Sequence, residues 1–230
     1  MTPLIGRLTA GRVREGEGTA ELRTGHRGTN RLVTFSDSVF AIAITLLVLE
    51  IRPPTANTDE LHGLLALWPS YLAYAVTFLF MGQVWVNHHV MFDHIRAANR
   101  PVLLLNTLVL MAVAFLPFAT SVLADAVRRG HGEQTAVAFY GITFWLTALA
   151  FNAVWLYASR HRMLSEALGS AAGTAIGRRF RLALGWLASG AVLGALVPVM
   201  GLAVIAAFNV FYWLPIRGES PGAGQKERST

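Results

Sequence analysis

Residues 31–51, Arg31-LVTFSDSVFAIAITLLVLE-Ile51, leave this chain little freedom in what it becomes. After Arg31 and the triplet Phe35-Ser36-Asp37 come twelve uncharged, almost wholly apolar residues, Ser38 to Leu49. About 20 residues is the length an α-helix needs to cross the hydrocarbon core of a bilayer. A carboxylate in such a span costs about 2.5–3.5 kcal/mol at the helix centre and less near the interface. Asp37 therefore needs protein or water beside it. Helical spacing puts Ser38, Ile42, Thr45, Leu46 and Leu49 on one line, greasy except for two hydroxyls. On a solitary helix that line is a lipid-facing or packing surface. With copies of the helix around an axis it becomes a pore lining, with aliphatic side chains as its narrow points.

Several more apolar runs of similar length follow, and only 14% of the 230 residues are charged against 54% hydrophobic. Soluble domains carry about 25% charged residues, so the pattern predicts an integral, multi-pass, all-α membrane protein. Cysteine is absent, which excludes disulfides and thiolate metal sites. The net charge of +6 comes from arginines and lysines flanking the apolar runs, so it points to membrane orientation and not to nucleic acid.

Taken in order, residues 1–30 hold five arginines, three glutamates and no apolar stretch of signal-peptide kind, and read as a cytoplasmic tail. The first span ends at Arg52-Pro53-Pro54, where proline cannot continue the hydrogen-bond ladder. Further spans are expected at about 64–91, 101–124, 135–158, 182–197 and 199–214. Residues 159–181 form an arginine-rich connector, in part an interfacial helix, and 217–230 a second cytoplasmic tail. The expected layout is thus one six-span domain over 31–216 between two tails. Arginine and lysine test it: six through Arg31, two in 93–100, five in 159–181 and three in the C-terminal tail, sixteen in all. The alternate loops have only Arg52, Arg128 and Arg129. That bias puts both termini in the cytoplasm of a cell whose inner membrane the chain crosses.

Three segments carry a family resemblance. Arg31, Phe35, Ser36 and Asp37, as R-x-x-x-F-S-D opening the first span, resemble the signature of the transmembrane protein 175 potassium-channel family. So do Trp85-VN-His88-His89-VM-Phe92 and Leu105-Asn106-TLVLMAVA-Phe115-Leu116-Pro117-Phe118-Ala119-Thr120, in the same order. With no internal repeat in the chain, the resemblance implies a homotetramer in the bilayer with the first helix innermost. It further implies that Ile42, Thr45 and Leu49 form the constrictions, with Ser38 and Leu46 on the same lining. An aliphatic ring stops ions by dewetting when narrow, and a ring of Thr45 hydroxyls replaces part of a permeating ion's hydration. The carbonyl-lined TVGYG filter is absent, so selectivity must arise otherwise and is expected to be modest.

Arg31 and Asp37 face about 120° apart on one helix and cannot pair with each other. Taken alone they are a snorkelling arginine and a helix-end carboxylate. The resemblance implies partners on other spans, with Trp85, His88, His89 and Asn106 as candidates for a network that holds the pore helix in register. His89 and Asp93 have i, i+4 metal-ligand spacing, but no matching cluster exists on the last three spans, so no metal or other cofactor is expected. Glu50, at the outer end of the first span, is placed to draw cations into a vestibule. Pro117 is expected to bend the third span, and the small residues of the last two spans to allow close helix packing. The reading is a potassium-selective channel and no enzyme, with potassium as the permeant ion. A proton-coupled transporter using Asp37 and the histidines is the second reading, and a metal-dependent membrane enzyme the third.

Overall fold

Proline, asparagine and glycine set the helix boundaries in this chain. The computed structural model describes residues 29–54, 59–165 and 168–213, which fold as seven helices and no extended strand. Helix α1 occupies 29–46 and tightens into a 3-10 turn at Leu47–Glu50 before Pro53 and Pro54. It thus begins by residue 29, ahead of Arg31. The rest of the expected N-terminal tail, and the C-terminal tail, lie outside the described residues.

The second expected span is two helices, α2 (Glu60–Ala66) and α3 (Trp68–Asp93), bent by 45° at Leu67. Pro69 explains the break, because it offers no N–H to the preceding turn and its ring crowds the carbonyl four residues back. Helix α4 (Arg100–Arg129) starts where the Asn99 side chain accepts from the Val102 N–H at 3.1 Å, with Pro101 in its first turn. It continues through Pro117 to Gly130. The turn into α5 (Glu133–Arg160) uses Gly130 and Gly132 at φ 69° and 76°, a left-handed backbone that favours glycine.

Helix α6 runs over Ser170–Leu196, well before the span expected from 182, because the alanines and arginines of 171–181 continue the helix below the apolar stretch. Val197, held extended by the following proline, separates it from α7 (Pro198–Trp213). Thr29–Glu50, α4 and α5 are each long and apolar enough to cross a bilayer, as is the α2–α3 pair taken together. The apolar part of α6, residues 182–196, and the 16-residue α7 reach only about 22–24 Å each, a shortfall met by local thinning or snorkelling arginines.

The core lies between α3, α4, α5 and α7, with Phe80 stacked on Phe144 at 3.8 Å and touched by Phe208. A hydroxyl cluster, Thr77 at 2.8 Å from Thr120 and 2.7 Å from Tyr140, ties α3, α4 and α5 together. At one end of the bundle, the α3–α4 turn and the α5–α6 connector pair through the isolated bridge of Ile95 with Leu164. Helices α6 and α7 meet through glycines. A Cβ on Gly201 would stand 2.8 Å from the Gly190 carbonyl oxygen and closer still to the Gly194 backbone.

Gly201→Ala should therefore push α7 off α6 and lower stability by about 1–3 kcal/mol. Gly82→Ala, with nothing within 4 Å of the new methyl, should leave stability unchanged or raise it. Thermal unfolding of the two purified variants in the same detergent checks the contrast.

Candidate functional site

Helix α1 has two faces of different chemistry. Leu32, Ser36, Phe40, Ala43 and Leu47 are buried and recur at helical spacing, fixing one side of the helix against the rest of the chain. Thr34, Phe35, Ser38, Ile42, Thr45, Leu46 and Leu49 point the other way and are exposed.

The buried face is pinned by a polar relay across three helices. Ser36 Oγ, fully buried, donates to the Leu32 carbonyl at 2.9 Å and accepts from Asn106 Nδ2 on α4 at 2.9 Å. Asn106 turns its own carbonyl oxygen to His88 Nε2 on α3 at 2.8 Å. With an amide oxygen as acceptor, the neutral imidazole carries its proton on Nε2. The ring lies between Phe40 at 5.4 Å and Phe92 at 4.5 Å, and its Nδ1 is buried without a partner. Beside the relay, Asp37 accepts from Trp85 Nε1 at 2.9 Å. That bond answers the cost of a carboxylate in the first span.

The structure thus brings together Ser36, Asp37, Trp85, His88 and Asn106 of the expected network. Arg31 stands outside it: the side chain is exposed and pairs with no described residue. Phe35 likewise is exposed, about 100° round the helix from Ser36. His89 is exposed, 6.4 Å from the Trp85 ring and 3.9 Å from Asp93, too far for a hydrogen bond. Among the described residues no three His, Asp or Glu side chains gather as metal ligands would. The Thr77, Thr120 and Tyr140 knot was not expected from the sequence. Hydroxyls spaced 43 and 63 residues apart inside apolar runs give no local signal.

On the outer face, Ile42 is 60% and Leu49 71% exposed in the single chain. Ser38 Oγ donates to the Thr34 carbonyl at 2.9 Å, and Thr45 Oγ1 to the Ile42 carbonyl at 2.8 Å. Each hydroxyl proton is turned into the helix, which leaves the oxygen lone pairs free. The 3-10 turn advances about 120° per residue instead of 100°, so Leu49 sits about 60° round from its place on an uninterrupted α-helix. It stays exposed, and so does Val48 at 51%.

Residues 31–117, from the start of α1 to the middle of α4 and so including the whole relay, match the family model described as endosomal/lysosomal potassium channel TMEM175. A potassium channel of Streptomyces collinus is 43% identical over 161 residues, which are 69% of this chain and 78% of that protein. The chain belongs to the TMEM175 family. A second relative, a potassium channel of Chamaesiphon minutus, is 39% identical over 68% of this chain and 79% of its own length. The fold agrees: the crystal structure of a lysosomal potassium-selective channel TMEM175 homolog from Chamaesiphon minutus superposes with a TM-score of 0.72 at 32% identity, covering 80% of this chain and 95% of that one.

Within this TMEM175 chain the relay makes a direct demand on stability. Asn106→Ala leaves the buried His88 Nε2 without its partner, at about 1–3 kcal/mol, and leaves Ser36 Oγ only its bond to the Leu32 carbonyl. Loss of folded, assembled protein is the expected outcome, read by size-exclusion profile and thermal midpoint. Arg31→Ala, which removes no described partner, should stay within about 0.5 kcal/mol of the parent.

Proposed function

We propose that the chain is one subunit of a potassium channel in which four copies surround an axis, with α1 innermost. Residues 31–216 form the channel domain, and the tails at 1–30 and 217–230 are cytoplasmic, as the arginine bias favours. The observation that carries this reading is the asymmetry of α1. One face is locked to its own subunit by the Ser36–Asn106–His88 relay, and the opposite face leaves Ser38, Ile42, Thr45, Leu46 and Leu49 exposed. A lipid-facing helix has no need of that register. A pore-lining one does.

In the assembled channel Ile42 and Leu49 form aliphatic rings that close by dewetting when narrow and pass ions when slightly wider. Thr45 contributes a ring of oxygens whose lone pairs face the axis, because each proton is already given to the Ile42 carbonyl. Such a ring replaces part of the hydration of a cation and offers nothing to an anion. With four neutral oxygens and no carbonyl filter, preference for potassium over sodium is modest. Glu50, half-buried just beyond Leu49, adds negative charge at the outer mouth and raises the local cation concentration.

Two measurements test the reading. Native mass spectrometry of protein purified in a mild detergent should give a tetramer, and an active monomer would remove the basis for a shared pore. In planar bilayers with potassium on one side and sodium on the other, Ile42→Asn should wet the constriction, raise current at all voltages and weaken discrimination between the ions. Val48→Asn should do much less, and Thr45→Ala should shift the reversal potential more than the open probability. If Val48 proves as sensitive as Ile42, or Ile42→Asn changes nothing, the pore lies elsewhere.

A further inference from the structure

The far side of the subunit from α1 has a second feature. One face of α6 carries Gly173, Gly177, Arg181, Gly185 and Ser189 at steps of four residues, so a single arginine stands in a lane of small side chains. Two grooves meet at that arginine. Toward the α5–α6 connector lies one of about 440 Å³ with Trp155, Ser165, Ser170 and Thr174 among its walls. Toward the membrane centre lies one of about 640 Å³ between α6 and α7, walled by Gly185, Trp186, Ser189, Val204 and Ala207. Arg181 lines both.

The two grooves differ in what they ask of an occupant. In the upper one Trp155 is only 4% exposed, and its indole N–H, a donor and never an acceptor, meets no acceptor among the described residues. That nitrogen lies 3.0 Å, and Arg181 Nη1 3.5 Å, from the point where a Cβ on Gly177 would sit, so glycine is what lets the two donors converge. The first turn of α6 adds N–H groups with no side-chain cap. The whole stretch 159–181 carries five arginines and a single acidic residue, Glu166. Arg179 is already engaged with the Tyr212 carbonyl and ring, whereas Arg181 has no acidic partner among the described residues. The lower groove is the reverse. Beyond Arg181 at its mouth, its polar side chains are spent inside the protein, Ser189 Oγ on the Trp186 carbonyl and Trp186 Nε1 on the Val204 carbonyl, so an occupant there meets hydrocarbon.

Depth joins the two halves. The 15 residues from 182 to 196 span about 22 Å against a core of about 30 Å, which puts Arg181 at or just inside the headgroup boundary. We propose that this double groove binds one anionic glycerophospholipid per subunit. Its phosphate rests on Arg181 and the Trp155 N–H, and an acyl chain lies between α6 and α7. The surplus of arginine selects against headgroups that bring their own positive charge. The inference uses the membrane placement of α6 and is independent of whether α1 lines a pore.

The test is lipid retention by the delipidated, detergent-purified full-length protein, offered an equimolar mixture of phosphatidylglycerol and phosphatidylcholine and read by native mass spectrometry. Phosphatidylglycerol should be retained in preference, one per subunit. Arg181→Gln, a change at an exposed side chain, should lower that retention about fivefold or more. Trp155→Phe, which keeps the ring and removes the donor, should lower it as well, and Gly185→Leu should block the acyl groove and release the lipid. Equal retention of the two lipids by the parent protein would overturn the proposal, as would unchanged retention in Arg181→Gln. So would displacement of the lipid by inorganic phosphate alone, which would make this a free-anion site. Should Trp155→Phe fail to fold, Arg181→Gln and Gly185→Leu still decide the matter. Ion current from the same reconstituted protein separates a failure of the lipid site from a failure of the channel.

Discussion

The hydrogen bonds from Ser36 through Asn106 to His88 set the rotation of α1, and most of what the chain does at that helix depends on them. Lipid gives two apolar helices no hydrophobic reason to prefer each other over acyl chains, so packing and polar contacts decide helix orientation. A smaller share of α1 is buried than of α4 or α5, 28% against 44%, which leaves it less committed than those two by shape alone. Each membrane hydrogen bond is worth only about 0.6 kcal/mol on average. The larger effect is exclusion of alternatives. Turning α1 by one residue moves Ser36 about 100° away and strands an amide and an imidazole in a medium without water.

This explains how one helix serves two purposes. The inner face, Leu32 through Leu47, must satisfy a fixed arrangement of partners on α3 and α4. The outer face need satisfy nothing in its own subunit, so in the proposed assembly its chemistry is free to answer to the axis. Asp37 belongs to the first set through Trp85, and its charge is held away from the exposed stripe. In a pore of neutral side chains that separation matters, since a ring of carboxylates would dominate the field along the axis.

Much of this was legible in the sequence, for definable reasons. The spans α1, α4 and α5 are long, apolar and bounded by prolines, an asparagine cap and glycine turns, signals that act within a few residues. The break at Leu67 was not visible because the apolar run passes over Pro69 without interruption, and hydropathy does not register a missing N–H. The early start of α6 was hidden for the opposite reason, since its first turns are polar and still helical. Of the network, Asp37, Trp85 and Asn106 were readable as polar groups that a membrane cannot leave alone. Arg31 carries the same signal and finds no partner among the described residues, because a long side chain at a helix end reaches the interface by itself. The hydroxyls of Thr77, Thr120 and Tyr140 pass unnoticed because each also has a local backbone or ring role to explain it.

The direction of the hydroxyl protons on α1 carries the last step. A threonine or serine in a helix usually spends its proton on a carbonyl three or four residues back, as Ser38 and Thr45 do here. In a packed core that bond merely satisfies the group. On a face that looks into a pore it also fixes polarity, since the oxygen can then only accept. A ring of such oxygens favours a cation and disfavours an anion without any formal charge, and so without holding the ion too tightly to release it. In the proposed channel the aliphatic rings above and below would supply the barrier, and the threonine the compensation at the point where hydration is thinnest. On that proposal conduction and discrimination rest on separate residues a single helical turn apart. For that division to hold, α1 must keep its rotation to within a fraction of a residue, which the buried relay on its other face provides.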